Sequence, residues 1–277
     1  MNTKFRKLLG AAAVFTLLAG CSTQPPAPSA GPQVQLWSLG HSAIHITTPG
    51  GKVIMLDPWL TTNPKTPAEY KDLDKIGKID LILVSHAHFD HSADAPAMAK
   101  KWNATTIVPQ GFELTLHSLG IIPVALMPRM GKGGTITPLP GIKVTAVHAD
   151  HASEFNWTNP ATGKQEIHVG GEPVGYIIEL ENGFKIYHMG DTALFGDLKL
   201  IGERYQPDLI LVPIAGRYVM DPVDAAEATR MIRPKIAIPV HYGTRPDLPG
   251  TAEEYVAALG SSPTKVMILK PGDKLKF

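Results

Sequence analysis

Ser85-His86-Ala87-His88-Phe89-Asp90-His91 places four metal-ligand residue types within six positions, directly after the apolar run Ile79-Asp80-Leu81-Ile82-Leu83-Val84. The run has the length and apolar content of a buried strand. His86, His88, Asp90 and His91 therefore stand at a strand's C-terminal end, where α/β proteins place their binding sites. Alternate residues of an extended segment face the same way, so His86 and His88 can grip one ion. Asp90 and His91 lie just beyond, where a turn can aim them at a second. An isolated histidine is usually a satisfied surface or core residue, but four ligand types in this order point to metal chemistry.

Working outward, strand-like and helix-like segments alternate. Val34 to Trp37 and Ala43 to Ile46 read as a hairpin, and Lys52 to Leu56 as a third strand ending at Asp57-Pro58. Beyond the His cluster, helices are expected over 94–102 and 112–119, with strands at 105–108 and 141–147. Residues 174–180 and 184–187 form a hairpin around Glu181-Asn182-Gly183, a favoured turn sequence. A helix over 198–204, a strand over 208–213 and a helix over 222–232 capped by Asp221 follow. A strand over 236–240 delivers His241, and a helix over 252–259 and a strand over 266–269 close the chain. The pattern is α/β, and the hairpins exclude a purely parallel sheet.

The N-terminus carries a different signal. Lys4, Arg6 and Lys7 precede an apolar stretch from Leu8 to Leu18 that is too short to span a bilayer. Leu18-Ala19-Gly20-Cys21 resembles the lipobox of bacterial lipoproteins, in which the cysteine is lipidated after cleavage. Residues 1–21 are thus expected to be a lipoprotein signal peptide, with Cys21 as lipid attachment site. Ser22 at the following position favours the outer membrane by the same resemblance. Residues 22–33, rich in Pro, Ser and Ala, read as a flexible tether, leaving residues 34–277 as one domain with a substantial core. The expected location is the cell envelope, held to the membrane by the lipid and facing the periplasm.

The whole chain has 26 basic and 25 acidic residues. Removing residues 1–21 takes three basic and no acidic residues, so 23 against 25 leaves a net charge of −2. With no basic run or stripe, nucleic acid is not an expected partner. Cys21 is the only cysteine, so no intramolecular disulfide forms and metal ligands must be nitrogen or oxygen.

Three further candidates repeat the same geometry, a ligand-type residue where an apolar strand meets a loop. His148 follows Val144-Thr145-Ala146-Val147, Asp191 follows Ile186-Tyr187-His188-Met189-Gly190, and His241 follows Ile236 to Val240. Singly, each has an ordinary alternative as a helix cap or a loop hydrogen-bonding group.

Together, His-X-His-X-Asp-His, His148, Gly190-Asp191-Thr192 and His241 resemble the metallo-β-lactamase superfamily of binuclear hydrolases. Gly170-Gly171-Glu172-Pro173-Val174-Gly175-Tyr176, Val212-Pro213-Ile214 and Pro239-Val240-His241-Tyr242-Gly243-Thr244 are similar to its branch of metal-dependent hydrolases related to L-ascorbate-6-phosphate lactonase-like enzymes. The resemblance covers about residues 34–277. It implies a four-layer αββα sandwich with mixed sheets and metals at one edge. It also implies that His86, His88 and His148 hold a first metal, Asp90, His91 and His241 a second, and that Asp191 bridges them.

Two divalent ions are then the expected cofactors, zinc above all, with manganese or iron also suited to mixed His and carboxylate ligation. A hydroxide between the metals would be the nucleophile, with Asp90 and Asp191 as the catalytic carboxylates. His41 matches a family position near the pocket. His151 and His168 flank residues 149–173, long and polar enough for a lid loop. His188 is expected in the core or helix layer, and His45 and His117 as ordinary residues. Arg217, beside Tyr218, is a candidate contact for an anionic substrate.

The expected activity is hydrolysis of an ester, lactone or phosphodiester in a small-molecule substrate. The alternatives are an envelope β-lactamase and a non-catalytic metal-binding lipoprotein. A bridging Asp191 and the absence of a cysteine ligand speak against the first, and the full set of seven ligand types against the second.

Overall fold

The computed structural model describes residues 33–277. The expected signal peptide, Cys21 and all but the last residue of the tether lie outside the described residues. Among the described residues no helix is long and apolar enough to cross a membrane.

The chain opens with an antiparallel meander, β1 (Gln35–Gly40), β2 (Ala43–Thr47) and β3 (Val53–Leu56). β4 (Leu81–Leu83) and β5 (Thr105–Ile107) then add in parallel. α1 (Phe89–Ser92), α2 (Ala95–Trp102) and α3 (Gln110–Ser118) flank this first sheet. β6 (Thr135–Leu139) and β7 (Ile142–His148) begin a second sheet. β8 (Glu154–Thr158) and β9 (Gln165–Val169) pair only with each other. β10 (Val174–Glu179) and β11 (Lys185–His188) form the expected hairpin. The chain then alternates through α4 (Leu198–Tyr205), β12 (Leu209–Pro213), α5 (Pro222–Ile232), β13 (Ile236–Val240), α6 (Ala252–Leu259) and β14 (Lys265–Val266). Finally β15 (Lys274–Lys276) returns to pair with β1.

Strand order is β15-β1-β2-β3-β4-β5 in one sheet and β14-β13-β12-β11-β10-β7-β6 in the other, and both are mixed. The central strands are apolar on both faces because each face has its own partner layer. Ile54, Leu56, Leu81 and Leu83 meet Val144, Tyr176, Leu209 and Leu211 between the sheets. Their alternates Met55, Ile82 and Val84 pack outward on Met98 and Ala99 of α2 and Phe112 and Leu116 of α3. On the other side Ile210, Val212 and Ala237 pack on Leu198, Ala225, Ile232 and Tyr255 of α4, α5 and α6. Three apolar layers between four layers of elements make the αββα sandwich, each buried Leu or Ile contributing about 1.5–3 kcal/mol of transfer free energy.

The two sheets are also tied by polar contacts at one end. Tyr176 Oη donates to the Val84 carbonyl at 2.9 Å, and the Val174 N–H to that of Ser85 at 3.0 Å. This joins β10 to the end of β4, where the His cluster begins.

The expected boundaries need three adjustments. The 149–173 segment is not a loop, since Phe155↔His168 and Asn156↔Ile167 set the register of an antiparallel hairpin. The last expected strand shortens to Lys265–Val266. β6 and β15 carry no legible strand signal, being short, largely exposed edges whose ladder bonds come from β7 and β1.

Candidate metal centre

Six chain segments converge at the tied end of the sandwich: the β1–β2 turn with His41, the end of β3 with Asp57, residues 85–91 after β4, the β7 exit with His151, the β11 exit with Asp191, and the β13 exit with His241. His41, Asp57 and His241 all adopt left-handed backbone angles, φ 58°, 41° and 58°. For non-glycine residues such angles are unfavourable and cluster where a side chain must be aimed out of a strand end. Gly190 is required for a related reason. Its φ is 63°, and a Cβ there would lie 2.7 Å from Ser85 Cβ and 3.0 Å from the Val174 carbonyl oxygen. Only glycine lets Asp191 come down beside the His86 strand end.

The side chains form three overlapping groups in which the candidate donor atoms lie within 4.8 Å of one another: His86, His88 and His151; His86, His91 and Asp191; and His41, Asp90, His91 and His241. Asp191 stands between. Its Oδ2 is 2.9 Å from His241 Nε2, 3.6 Å from His151 Nε2 and 3.9 Å from His86 Nε2, while its Oδ1 is 3.3 Å from His91 Nε2. Asp90 Oδ2 lies 3.3 Å from His41 Nε2 and 4.0 Å from His241 Nε2. Of the seven residues expected as ligands, the structure gathers six: His86, His88, Asp90, His91, Asp191 and His241.

His148 is the exception, and its expected place is taken by His151. On β7 it shares a face with Val144 and Ala146, but it passes the end of the core. Its exposed ring packs against Phe195 at 4.8 Å, and Lys132 Nζ donates to its Nδ1 at 3.3 Å. The chain then turns. The Asp150 N–H donates to Thr192 Oγ1 at 3.0 Å and the Ala193 N–H to the Asp150 carbonyl at 2.9 Å. These bonds to the Asp191-Thr192 loop bring the His151 ring to 5.0 Å from that of His86 and 5.2 Å from that of His88.

Hydrogen bonds behind the cluster fix which ring nitrogen faces it. His91 Nδ1 donates to Asp57 Oδ2 at 2.7 Å, which turns Nε2 toward Asp191. Ser85 Oγ donates to Asp57 Oδ2 at 2.7 Å and so accepts from His86 Nδ1 at 3.0 Å, freeing His86 Nε2. His41 Nδ1 donates to Thr244 Oγ1 at 3.0 Å, freeing its Nε2 in the same way. These tautomers follow from the donor and acceptor count of the network. Asp57 is the hub. It also accepts from the Ser85 N–H and from His188 Nε2, each at 2.7 Å, and is fully buried. Sequence reading gave Asp57 no role, although an acid ending the strand beside the ligand-bearing one was a visible signal. The expected core placement of His188 is where the structure puts it.

Burial sets the electrostatics, and the carboxylates then oppose it. Desolvation, with His91 nearby, pushes His86 well below the ordinary histidine range. Desolvation with His241 lowers His41 to about 4. For His91 the burial penalty is outweighed by Asp191 and Asp57, which hold it well above the usual range. Asp191 is pushed up by burial but held well below the usual carboxylate range by His241 and His91. Asp90 is held low by the nearby His41 and His91, again against burial.

The donor set fits divalent metal ions. Among the described residues, His41 Nε2, His91 Nε2 and Asp191 Oδ1 are buried side-chain atoms without a hydrogen-bond partner, and all three face the cluster. Buried polar atoms rarely remain unpaired without a functional reason. Histidine nitrogens oriented from behind by Asp57, Ser85 and Thr244 are the usual support of metal-ligating imidazoles.

An open cavity of about 220 Å³ leads to the cluster, walled by His88, Phe89, Asp90, His151, Asn156, Asp191, Tyr218, His241 and Arg245. Asn156 comes from β8, so the β8–β9 hairpin forms one side of the entrance. Arg217 does not line this cavity. Its side chain is 59% exposed and stands 4.0 Å from Asp247. Arg245, which sequence reading passed over, is the arginine at the site. It sits in the loop that follows His241.

Known proteins share this fold. Residues 52–242 match the beta-lactamase superfamily domain. The chain belongs to the metallo-β-lactamase superfamily. It is 54% identical, over 99% of its length and all of the relative's, to a UPF0173 metal-dependent hydrolase of Cupriavidus necator. It is 57% identical to another from a Polaromonas species, covering 90% of this chain and 92% of that one. Among solved structures, a metallo hydrolase from the archaeon Ignicoccus hospitalis superposes with a TM-score of 0.75 at 32% identity, over 88% of this chain and 98% of that one. Membership makes this protein a metal-dependent hydrolase of the superfamily, with a cluster of His and Asp groups suited to the metal.

Proposed function

We propose that the protein is a binuclear hydrolase of a small ester, lactone or phosphodiester, with its metals divided by Asp191. The observation that carries this reading is the position of Asp191, whose carboxylate lies within 3.9 Å of His86 and His151 of one group and of His91 and His241 of the other. His86, His88 and His151 would hold one ion and Asp90, His91 and His241 the other, with His41 beside the second group. Zinc suits this set, and manganese or iron is compatible with it. Divalent ions bound there would acidify water and polarise the electrophilic carbon or phosphorus.

The protein's own groups supply position and charge. Asp191 places negative charge between the two ligand groups. Asp90 is partly exposed and next to the cavity, so its free carboxylate oxygen is placed to orient a water. His41, neutral because burial and His241 hold it low, adds no positive charge beside Asp90. The ring orientations of His86 and His91, fixed by Ser85 and Asp57, spare reorganisation on binding.

The test combines metal content with turnover. Wild-type protein should bind two metal equivalents, lose hydrolysis of an aryl ester or phosphodiester panel on chelation and regain it with added zinc. Asp191→Asn should drop to one equivalent or less and lose turnover by at least ~100-fold, the range for removal of a central metal-site group. A variant that kept two metals and full turnover would refute the bridging role. Cleavage of nitrocefin alone from such a panel would instead favour the β-lactamase alternative.

We further propose that Cys21 carries the lipid, supported by Leu18-Ala19-Gly20-Cys21 and the Pro-rich tether after it. Cys21→Ser should then abolish uptake of labelled fatty acid and shift the protein out of the membrane fraction. Absence of label in the wild type would overturn it.

A further inference from the structure

We propose that Arg245, backed by Tyr218, is an anion-binding wall of the metal-site cavity, so that the substrate carries a carboxylate or phosphate beside the bond that is cut. This deepens the hydrolase reading and rests on it.

Arg245 is the one Lys or Arg among the described residues that line the cavity holding Asp90, Asp191 and His241. It lies four residues beyond His241, so the loop that carries a ligand also carries the cation. Its guanidinium is held in a fixed plane: Nε donates to Asp247 Oδ1 at 3.0 Å and Nη2 to Asp247 Oδ2 at 3.1 Å. A guanidinium has five N–H donors, and Asp247 uses two of them. The remainder match the paired oxygens of a carboxylate or phosphate.

Tyr218 fixes the other side. Its ring lies 5.8 Å from the Arg245 guanidinium carbon and 5.2 Å from that of Arg217, and its Oη donates to Asp247 Oδ2 at 3.2 Å. Two guanidinium groups thus share one carboxylate, leaving one positive charge uncompensated at the rim. A surface Arg–Asp pair by itself carries little meaning. The placement in the metal-site cavity and the N–H donors that Asp247 leaves free distinguish this one. Apart from the candidate metal ligands, the other walls, Phe89 and Asn156, are uncharged. At about 220 Å³, the cavity is small enough for one compact molecule to touch Arg245 and the metal cluster together.

The test uses the zinc-loaded protein and two esters differing only in a remote charge, mono-4-nitrophenyl glutarate and its methyl ester. Wild type should favour the acid by about tenfold or more in kcat/KM, mainly through KM, as one charge-assisted contact in a half-exposed site gives. Arg245→Gln should bring that ratio to within about twofold of one and Arg245→Lys should restore part of it, because the lysine keeps charge without the fork. Arg217→Gln removes the same charge away from the cavity and should keep most of the ratio.

A wild-type ratio near one, or a ratio unchanged in Arg245→Gln, overturns the proposal. So does an equal loss in Arg217→Gln and Arg245→Gln, which would mark a diffuse field effect. Calorimetric binding of glutaric acid monoanilide and its methyl ester, amides that resist cleavage, reads the preference without turnover. If neither ester is cleaved but the acid anilide binds more tightly and loses that advantage in Arg245→Gln, the hydrolase reading fails and the anion wall stands. If both esters are cleaved equally and neither anilide is preferred, the hydrolase reading stands and the anion wall falls.

Discussion

At the residue scale the site is organised around Asp57, a buried carboxylate that none of the candidate ligand groups includes. It takes four hydrogen bonds and thereby settles the orientation of His91 directly and of His86 through Ser85. The same scale separates His148 from His151, three positions apart and both at the exit of β7. His151→Ala should weaken metal binding by about 10–100-fold, and His148→Ala by less than about threefold, in a chelator-competition titration. The reverse order would restore His148 to the cluster. Sequence reading could name both residues but could not rank them. The choice depends on where Asp150 is tethered to the Thr192 loop, a contact spanning about 40 residues of sequence.

At the element scale the β8–β9 hairpin is the part of the fold that sequence reading missed. Its strands alternate between exposed and half-buried positions and pair with no sheet, so they offer no continuous apolar run. Its base is nevertheless firmly seated. Ser153 Oγ donates to the Gly170 carbonyl at 3.0 Å and accepts from the Ala87 N–H at 3.1 Å, and Phe155 packs on Phe112 with ring centroids 5.0 Å apart. Gly170 permits this seating, because a Cβ there would sit 2.0 Å from the Ser153 carbonyl oxygen and 2.6 Å from Ala87 Cβ. Gly170→Ala should therefore cost about 1–3 kcal/mol in urea unfolding, as overpacking does. It should also weaken metal binding, because Ala87 separates His86 from His88. A variant as stable as wild type would show that the hairpin base moves freely.

At the scale of the whole molecule, acidification provides the test. His45 lies outside the metal cluster, stacked on Trp37 at 4.3 Å, and burial lowers it to about 4 from 6.5. Between those values the unfolded chain binds a proton that the folded chain does not, so stability is present above about pH 6.5 and is lost as pH falls toward 4. The gap corresponds to about 3 kcal/mol at the acid end. His91, held high by Asp191 and Asp57, has the opposite sign: its contribution is full at low pH and is lost as pH rises through its folded value. Urea midpoints of the wild type should fall from pH 7 to pH 4.5, and His45→Gln should flatten that slope by up to one proton. An unchanged slope would mean that His45 titrates normally.

The sequence by itself determined the layered α/β class, most of the helices and strands, and six of the seven expected ligands that gather at the site. Those features are local: a period-2 run, a capping Asp221 or a His-X-His-X-Asp-His turn carries its signal within a few neighbouring residues. Only the tertiary structure decided that His151 rather than His148 gathers with His86 and His88, that Asp57 orients the histidines, that residues 149–173 form a hairpin and that Arg245 rather than Arg217 meets the cavity. Apart from the hairpin, whose strands are close in sequence but carry no apolar run, each depends on contacts between segments tens to more than a hundred residues apart, such as His188 with Asp57. Local spacing carries no information about which distant chain ends the closed sandwich brings together.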